Sequence, residues 1–204
     1  LETFSAETIE ETIQQLLDSP AYGERWARHW LDVAGYADSD GYTDKDLERK
    51  HAWRYRDYVI RSLNEDKPFD VFVREQLAGD EIAAFEKLHA NSPTQEERNR
   101  HSELITATGF LRMAPDGTGA QNNLVSRNAS ISDTIQILGT SLHGMTIGCA
   151  KCHDHRYDAI TQEDYYRFRA IFEPGFDVNN WRNPNARLVS LQTKEEAAAA
   201  AEIE

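Results

Sequence analysis

The chain has 204 residues, 35 of them acidic and 22 basic, so its formal net charge is −13. A charge of this sign argues against sequence-independent binding to nucleic acid and against adhesion to an anionic membrane surface. No apolar run approaches the roughly 18 residues of a membrane-spanning helix, and two cysteines cannot build a disulfide scaffold.

Helical periodicity dominates the first half of the chain. Apolar side chains recur every three or four residues with polar side chains between them, as on an amphipathic helix. Pro20 and Pro68 interrupt this pattern, because the residue before a proline leaves the helical region, and Gly79 suits a C-terminal cap. We therefore predict four helices in this half, at about 9–17, 21–34, 52–64 and 69–77.

The second half combines helices with long loops. Polar and charged stretches predict solvated excursions, and Gly- and Asn-rich stretches predict loops. A threonine followed three residues later by a carboxylate predicts the start of a helix. The predicted elements, in order, are an excursion over 85–102, a short helix at about 103–110, a loop over 114–123, a helix over about 131–142, and a last helix that starts after Thr161 and ends at Pro174-Gly175.

These elements predict a mostly α-helical fold, with one irregular domain and long loops over residues 1–190. No alternating run is long enough to predict a sheet. Residues 194–204 form a Glu- and Ala-rich run with high helix propensity but almost no apolar stripe. We expect residues 191–204 to begin a helical insert that leads to a further domain of a longer parent protein.

The only two cysteines, Cys149 and Cys152, are three residues apart, and His153 follows directly. This is the spacing of the attachment motif of c-type haem. Two thiols on one face of a helical turn match the two vinyl groups of the macrocycle, and the imidazole that follows ligates the iron. A covalently attached haem c uses all three residues, which favours it over the alternatives.

Three other interpretations of the cysteine pair stay open at this point. Cys149, Cys152, His153 and His155 could together supply four zinc ligands, although a second knuckle at the usual distance is absent. The pair could also be a thiol–disulfide redox motif, but such motifs usually begin a helix after a strand. Two inert core cysteines are the last alternative.

An acidic loop is the second group of chemically active side chains. Its four aspartates alternate with other residues: Asp38, Asp40, Asp44 and Asp46. Carboxylates at this spacing could bind Ca²⁺, but the glycine falls too early for an EF-hand, so a solvated acidic turn is favoured. Alternatively, Asp38 and Asp40 could pair with Arg54 and Arg56. These four residues are also our candidate catalytic groups if an accessible haem iron lies beside them.

Six blocks of sequence, taken together, resemble the planctomycete cytochrome c domain, a family without a known reaction. They are WARHWLD at 26–32, YADSDGY at 36–42, AWRYRDYVI at 52–60, EQLAGD at 75–80, TGFLR at 108–112 and GCAKCHDHRYD at 148–158. The resemblance covers roughly residues 10–175 and departs between Pro115 and Ser126. It implies a c-type haem, export to the periplasm or cell surface, and partner domains in the same parent protein, namely a cytochrome upstream and a further domain downstream.

Iron in such a haem has two axial positions, and His153 is expected to fill one of them. The candidates for the other are His29, His155, Met145, His143, Met113 and His51. We prefer His29, because it lies between two tryptophans in a matching block, and we expect Trp30 to form part of an aromatic haem wall. Arg54, Arg56 and Arg112 are candidates for binding the haem propionates or for pairing with carboxylates inside the protein, since a guanidinium suits a carboxylate. His155 is a further candidate for a hydrogen bond to a propionate.

The preferred function is electron transfer by a haem protein within a larger exported redox protein. A filled second axial position favours this function. If that position is open, the alternative is a haem-dependent oxidoreductase acting on a small or carbohydrate substrate. The third possibility is a structural or binding module that holds zinc. We expect no nucleic-acid partner and no insertion into a membrane.

Overall fold

The computed structural model describes residues 6–41, 45–86 and 94–190. Within these ranges the chain is helical and forms no β-strand, only an isolated antiparallel bridge between Ser39 and Glu48. This confirms the mostly α-helical prediction. The α-helices are α1 (Ala6–Leu17), α2 (Ala21–Ala34), α3 (Ala52–Asn64), α4 (Phe69–Phe85), α5 (Gln95–Ala107), α6 (Leu124–His143) and α7 (Gln162–Phe176).

The core is aromatic at its centre, where α2, α3 and α4 meet. The Trp30 ring lies edge-on to the Phe72 ring, with 4.9 Å between centroids, and the Tyr58 ring stacks on the other side of Phe72 at 5.8 Å. The indole Nε1 of Trp30 donates hydrogen bonds to Tyr55 Oη and Gln76 Oε1, both at 3.0 Å. The polar atom of the indole thus has hydrogen-bond acceptors inside the core, as burial requires.

A buried carboxylate ties α3, α4 and α5 together. Glu75 is 1% exposed, and it accepts hydrogen bonds from Tyr58 Oη at 2.9 Å, Lys67 Nζ at 2.8 Å and Arg100 Nη1 at 2.5 Å. Burial acts to raise the pKa of Glu75, but the hydrogen bonds from Lys67 and Arg100 outweigh it and hold the pKa below its usual value. Lys67 also pairs with Glu103 at 2.8 Å. The network therefore depends on the carboxylate being ionised.

Helix α4 is longer than predicted, and Gly79 is not its cap. The helix continues to Phe85 across a kink at Ala78, whose φ of −144° is not helical. A Cβ atom on Gly79 would lie 2.2 Å from the carbonyl oxygen of Leu104 in α5. Gly79 therefore allows α4 and α5 to approach each other closely, which its position in the sequence cannot distinguish from capping.

Helix α5 takes the place of residues 95–102 of the predicted excursion over 85–102. It starts at Gln95, and Thr94 caps it through a reciprocal capping box with Glu97. Only Leu104 and Ala107 of this helix are buried. Because so little of α5 is buried, its sequence is polar enough to resemble a solvated loop.

The ends of α6 and α7 follow their local sequence closely. Asn123 caps α6 at its start, and Gly144 ends it with a left-handed φ of 65°. Thr161 and Asp164 form the predicted capping box of α7. The predicted loop over 114–123 is irregular apart from one 3₁₀ turn at Gly117–Gly119.

The Glu- and Ala-rich run at 194–204 and the acidic-loop residue Asp44 lie outside the described residues. No helix among the described ranges is long and apolar enough to cross a membrane.

Candidate cofactor site at the cysteine pair

Cys149 lies on a 3₁₀ turn, Ile147–Lys151, which packs between α6 and α7, and Cys152 follows directly after this turn. Cys149 and Cys152 are both exposed and both free thiols. Ala150, between them, is fully buried. The turn is therefore anchored through its middle, while both thiols remain accessible from solvent.

Two glycines allow the turn to lie directly against α6. The backbone N–H of Gly148 donates a 2.8 Å hydrogen bond to Gln136 Oε1, and a Cβ atom on Gly148 would lie only 2.0 Å from that oxygen. A Cβ atom on Gly139 would lie 2.4 Å from Cγ2 of Ile147. Side chains at either glycine would displace the turn or the groups that hold it.

The start of α7 holds the second half of the motif. The carbonyl oxygen of Lys151 accepts hydrogen bonds from Gln162 Nε2 at 3.0 Å and from Tyr166 Oη at 3.3 Å. The backbone N–H of Gln162 donates to Asp154 Oδ1 at 2.8 Å. The motif is thus held by α6 on one side and by the first turn of α7 on the other.

His153 is exposed, and its ring orientation is set by one hydrogen bond. Its Nδ1 lies 2.7 Å from the carbonyl oxygen of Asp154. A carbonyl oxygen only accepts, so Nδ1 carries the proton and Nε2 keeps its lone pair. A backbone carbonyl on one ring nitrogen is the usual way of orienting a histidine that ligates a metal through the other.

His155 has a different role, because both of its ring nitrogens are used inside the loop. Nδ1 accepts a hydrogen bond from the backbone N–H of Asp158 at 2.9 Å, and Nε2 lies 3.0 Å from Thr146 Oγ1. Its side chain is 5% exposed. His155 therefore closes the loop 146–158 and holds it in shape. The structure does not present it toward the thiols as a ligand.

The donors of this motif suit haem better than zinc. Among the described residues, no group of three or more His, Cys, Asp and Glu side chains converges to hold a metal ion. Zinc needs its donors within about 2.0–2.3 Å of one point. Haem attachment instead spreads two thioether bonds and one axial ligand around a macrocycle. Two accessible thiols followed by a histidine with a free Nε2 fit that arrangement.

The preferred second ligand, His29, lies in a separate aromatic groove of about 370 Å³. The aromatic residues of this groove are Tyr22, Trp26, Trp30, Phe69 and Phe72. His29 is exposed, and Trp30 lines the same groove, while its indole N–H donates into the core to Tyr55 and Gln76.

Helix α6 lies between this groove and the motif. Ser141 lines the groove, whereas Gly139 contacts Ile147 of the motif turn. Two residues are separated by about 200° around a helix axis, so these contacts use opposite faces of α6. The structure thus does not bring His29 and His153 together. His29 as an iron ligand stays a prediction.

The other candidate ligands are scattered. Met145 is half-exposed just after α6, and its N–H donates to the carbonyl oxygen of Gly139 at 3.0 Å. His143 is exposed, with its ring 6.0 Å from that of Phe168. Met113 is buried, and His51 precedes α3 on the surface. Apart from His155, Met145 is the candidate nearest to the motif along the chain.

The acidic loop forms pairs other than those we predicted. Asp40 is buried, and it pairs with Arg49 Nε at 2.9 Å instead of with Arg54 or Arg56. Arg49 also donates to the carbonyl oxygens of residues 113 and 114, so it ties this loop to the next one. Sequence reasoning missed Arg49. The isolated bridge that sets its position joins residues nine apart and leaves no periodic signal.

The remaining charged candidates of this region lie at the surface. Asp38 accepts a 2.7 Å hydrogen bond from Tyr36 Oη, and burial together with that carboxylate raises the pKa of Tyr36 to about 12. Arg56 pairs with its neighbour Asp57 at 2.8 Å, and Arg54 lies 4.7 Å above the Trp53 ring. None of these four candidate catalytic side chains contacts the cysteine motif.

Arg112 lies at the far end of α7. Its guanidinium is 4.5 Å from the ring centroid of Phe176, the last residue of that helix, whereas the motif packs on Gln162, the first. Fourteen helical steps separate these two residues by roughly 20 Å. The structure therefore does not bring Arg112 and the cysteine pair together.

Comparison with known proteins gives one match. A family model described as "PSCyt2: Protein of unknown function (DUF1549)" matches residues 1–175. No curated protein matches the chain, and no solved structure matches it.

Proposed function

Since the chain belongs to the PSCyt2 family of proteins of unknown function, we propose that it is a c-type haem protein that transfers electrons within a larger exported protein. The observation that carries the proposal is the pair of exposed thiols at Cys149 and Cys152, followed by His153 with Nε2 free. The turn that carries them is held by α6 on one side and α7 on the other.

Each residue of the motif has a distinct role in this proposal. The thiols of Cys149 and Cys152 would hold the haem through two thioether bonds, and their addition to its vinyl groups needs no oxidant. His153 would ligate the iron through Nε2, and the carbonyl oxygen of Asp154 keeps the proton on Nδ1. When bound, the haem supplies one-electron redox chemistry.

The exposure of the motif favours electron transfer as the reaction. A haem attached through two surface thiols keeps an edge at the protein surface, where another redox group can approach it. The partners we propose are a cytochrome domain and a downstream domain of the same parent protein.

One observation supports a second candidate function. His29 lines a groove on the opposite face of α6 from the motif, and both ring nitrogens of His155 are engaged in the loop. If Met145 does not occupy the second axial position either, that position is open to a small ligand. The chain is then a haem-dependent oxidoreductase acting on a small or carbohydrate substrate.

Covalent haem content tests the proposal directly. We would export the chain in cells with a cytochrome c maturation system and measure haem that survives denaturing electrophoresis. We expect about one haem per chain in the wild type and none in the C149S/C152S double variant. An intact, folded wild-type chain with two free thiols and no haem after maturation would contradict the proposal.

The absorption spectrum of the haem-loaded chain then separates the two functions. A low-spin spectrum that M145A converts to high spin identifies Met145 as the second ligand and supports electron transfer. The same conversion by H29A supports His29. A high-spin spectrum in the wild type that shifts on addition of cyanide supports the oxidoreductase.

A further inference from the structure

Arg112 is half-buried, and no residue that the structure describes accepts a hydrogen bond from it. It ends the 3₁₀ turn Thr108–Arg112, and it forms no hydrogen bond or ion pair with any residue that the structure describes. Its guanidinium lies 4.5 Å from the Phe176 ring centroid and 6.0 Å from that of Trp181. Aromatic rings occupy the face of a guanidinium, but its five N–H donors point outward in its plane and still need acceptors.

The nearest carboxylate is already used by other groups. Asp116 accepts through Oδ1 from the backbone N–H of Thr118 at 2.9 Å and from the Thr118 hydroxyl, and through Oδ2 from Arg187 Nη1. Arg187 in turn donates to the carbonyl oxygen of Arg182 at 2.7 Å. Asp116 and Arg187 thus satisfy each other, and Arg112 is left outside the pair.

This cluster has an excess of positive charge. Two guanidinium groups face one carboxylate, so the local sum is one positive charge in a chain whose net charge is −13. Burial, and then repulsion from Arg187, lower the pKa of Arg112 to about 10. The same two effects that disfavour the charged form favour any anion that neutralises it.

The indole of Trp181 helps to hold the site but does not provide a further donor. Its Nε1 donates to Thr118 Oγ1 at 3.0 Å, and Arg187 lies 4.6 Å above its ring. Its own ring stacks on Phe176 with 6.3 Å between centroids. The two rings therefore form a rigid apolar support beneath Arg112 that fixes the direction of its donors.

We propose that Arg112 binds a small oxyanion, a carboxylate, sulfate or phosphate group, from solvent. A guanidinium fork holds such a group through two parallel hydrogen bonds. The site is distinct from the cysteine motif, because α7 separates them by roughly 20 Å. It does not require a bound haem.

Anion titration at constant ionic strength tests this proposal. We would titrate the full chain with sulfate, phosphate or acetate against chloride and follow binding by calorimetry and by tryptophan emission. We expect saturable binding that R112Q weakens at least about tenfold and R112K weakens less, because lysine keeps the charge but loses the fork. Preference for acetate indicates a carboxylate ligand, and preference for sulfate or phosphate indicates a tetrahedral one.

Two controls make the result decisive. R54Q removes an arginine with a similar ring contact at 4.7 Å but in an exposed position, and we expect it to leave anion binding unchanged. The C149S/C152S variant carries no haem, and we expect it to bind the anion as the wild type does. Equal responses of the wild type and a folded R112Q variant, or no saturable binding by the wild type, would overturn the proposal.

Discussion

The contact between Gly148 and Gln136 makes a sharp prediction about how the cysteine motif is held. In the wild type, Gly148→Ala places a Cβ atom 2.0 Å from Gln136 Oε1, so the amide must swing away and the 2.8 Å hydrogen bond is lost. Losing a hydrogen bond to a partly buried N–H costs about 1–2 kcal/mol. Against this, alanine restricts the unfolded chain and recovers about 0.4–1 kcal/mol. We therefore expect Gly148→Ala to lower the free energy of unfolding by up to about 1.5 kcal/mol.

Gly148→Ala should raise the free energy of unfolding, instead of lowering it, when the side-chain amide of Gln136 is removed. In a Gln136→Ala background the hydrogen bond is already absent, and the nearest remaining atom of residue 136, Cβ, is 3.8 Å from the new methyl group. Gly148→Ala then brings only the gain of about 0.4–1 kcal/mol. Urea unfolding of the four proteins measures this coupling as a double-mutant cycle. An equal loss in both backgrounds would show that the two groups do not interact and would refute this account of the site.

Other predictions concern the packing of the helices. Glu75→Gln leaves Lys67 with one carboxylate instead of two, and should lower the free energy of unfolding by about 2–3 kcal/mol in urea. Because the folded pKa of Glu75 lies below its ordinary value of 4.5, wild-type stability should fall as the pH drops below that value, and Glu75→Gln should flatten this part of the profile. Gly79→Ala should cost more than the roughly 1–3 kcal/mol of ordinary overpacking, since it strikes the backbone of Leu104, and should lower the melting temperature. Gly175→Ala is the control, because open space surrounds Gly175, and it should leave the melting temperature unchanged. A similar fall in melting temperature for Gly79→Ala and Gly175→Ala would contradict the close approach of α4 and α5.

The helices that the sequence predicted well are those with strong local signals. Helices α2 and α3 begin and end where the apolar periodicity places them, and Thr161 caps α7 as expected. The predictions that were wrong depend on how the helices pack against each other. Gly79 resembles a cap, and only the distance to Leu104 reveals it as a contact between helices. Thr94 caps a helix so exposed that its polar sequence predicts a loop.

The cysteine motif could be recognised from the sequence for the same reason. The spacing of Cys149, Cys152 and His153 alone indicates haem attachment, which stays a prediction, and no long-range contact is needed to recognise it. Ion pairs that depend on the tertiary fold have no comparable sequence pattern. Arg49, and not Arg54, neutralises Asp40, because an isolated bridge sets their approach.

The contacts that hold the cysteine turn have a consequence for the order of folding. They join residues only 8 to 15 positions apart in the chain, all between Gln136 and Tyr166. Closing such short loops costs little entropy and proceeds quickly. The hairpin of α6 and α7 can therefore shape the motif before the aromatic core between α2, α3 and α4 has assembled. The chain would then offer both thiols in their final geometry while most of its long-range contacts are still to form.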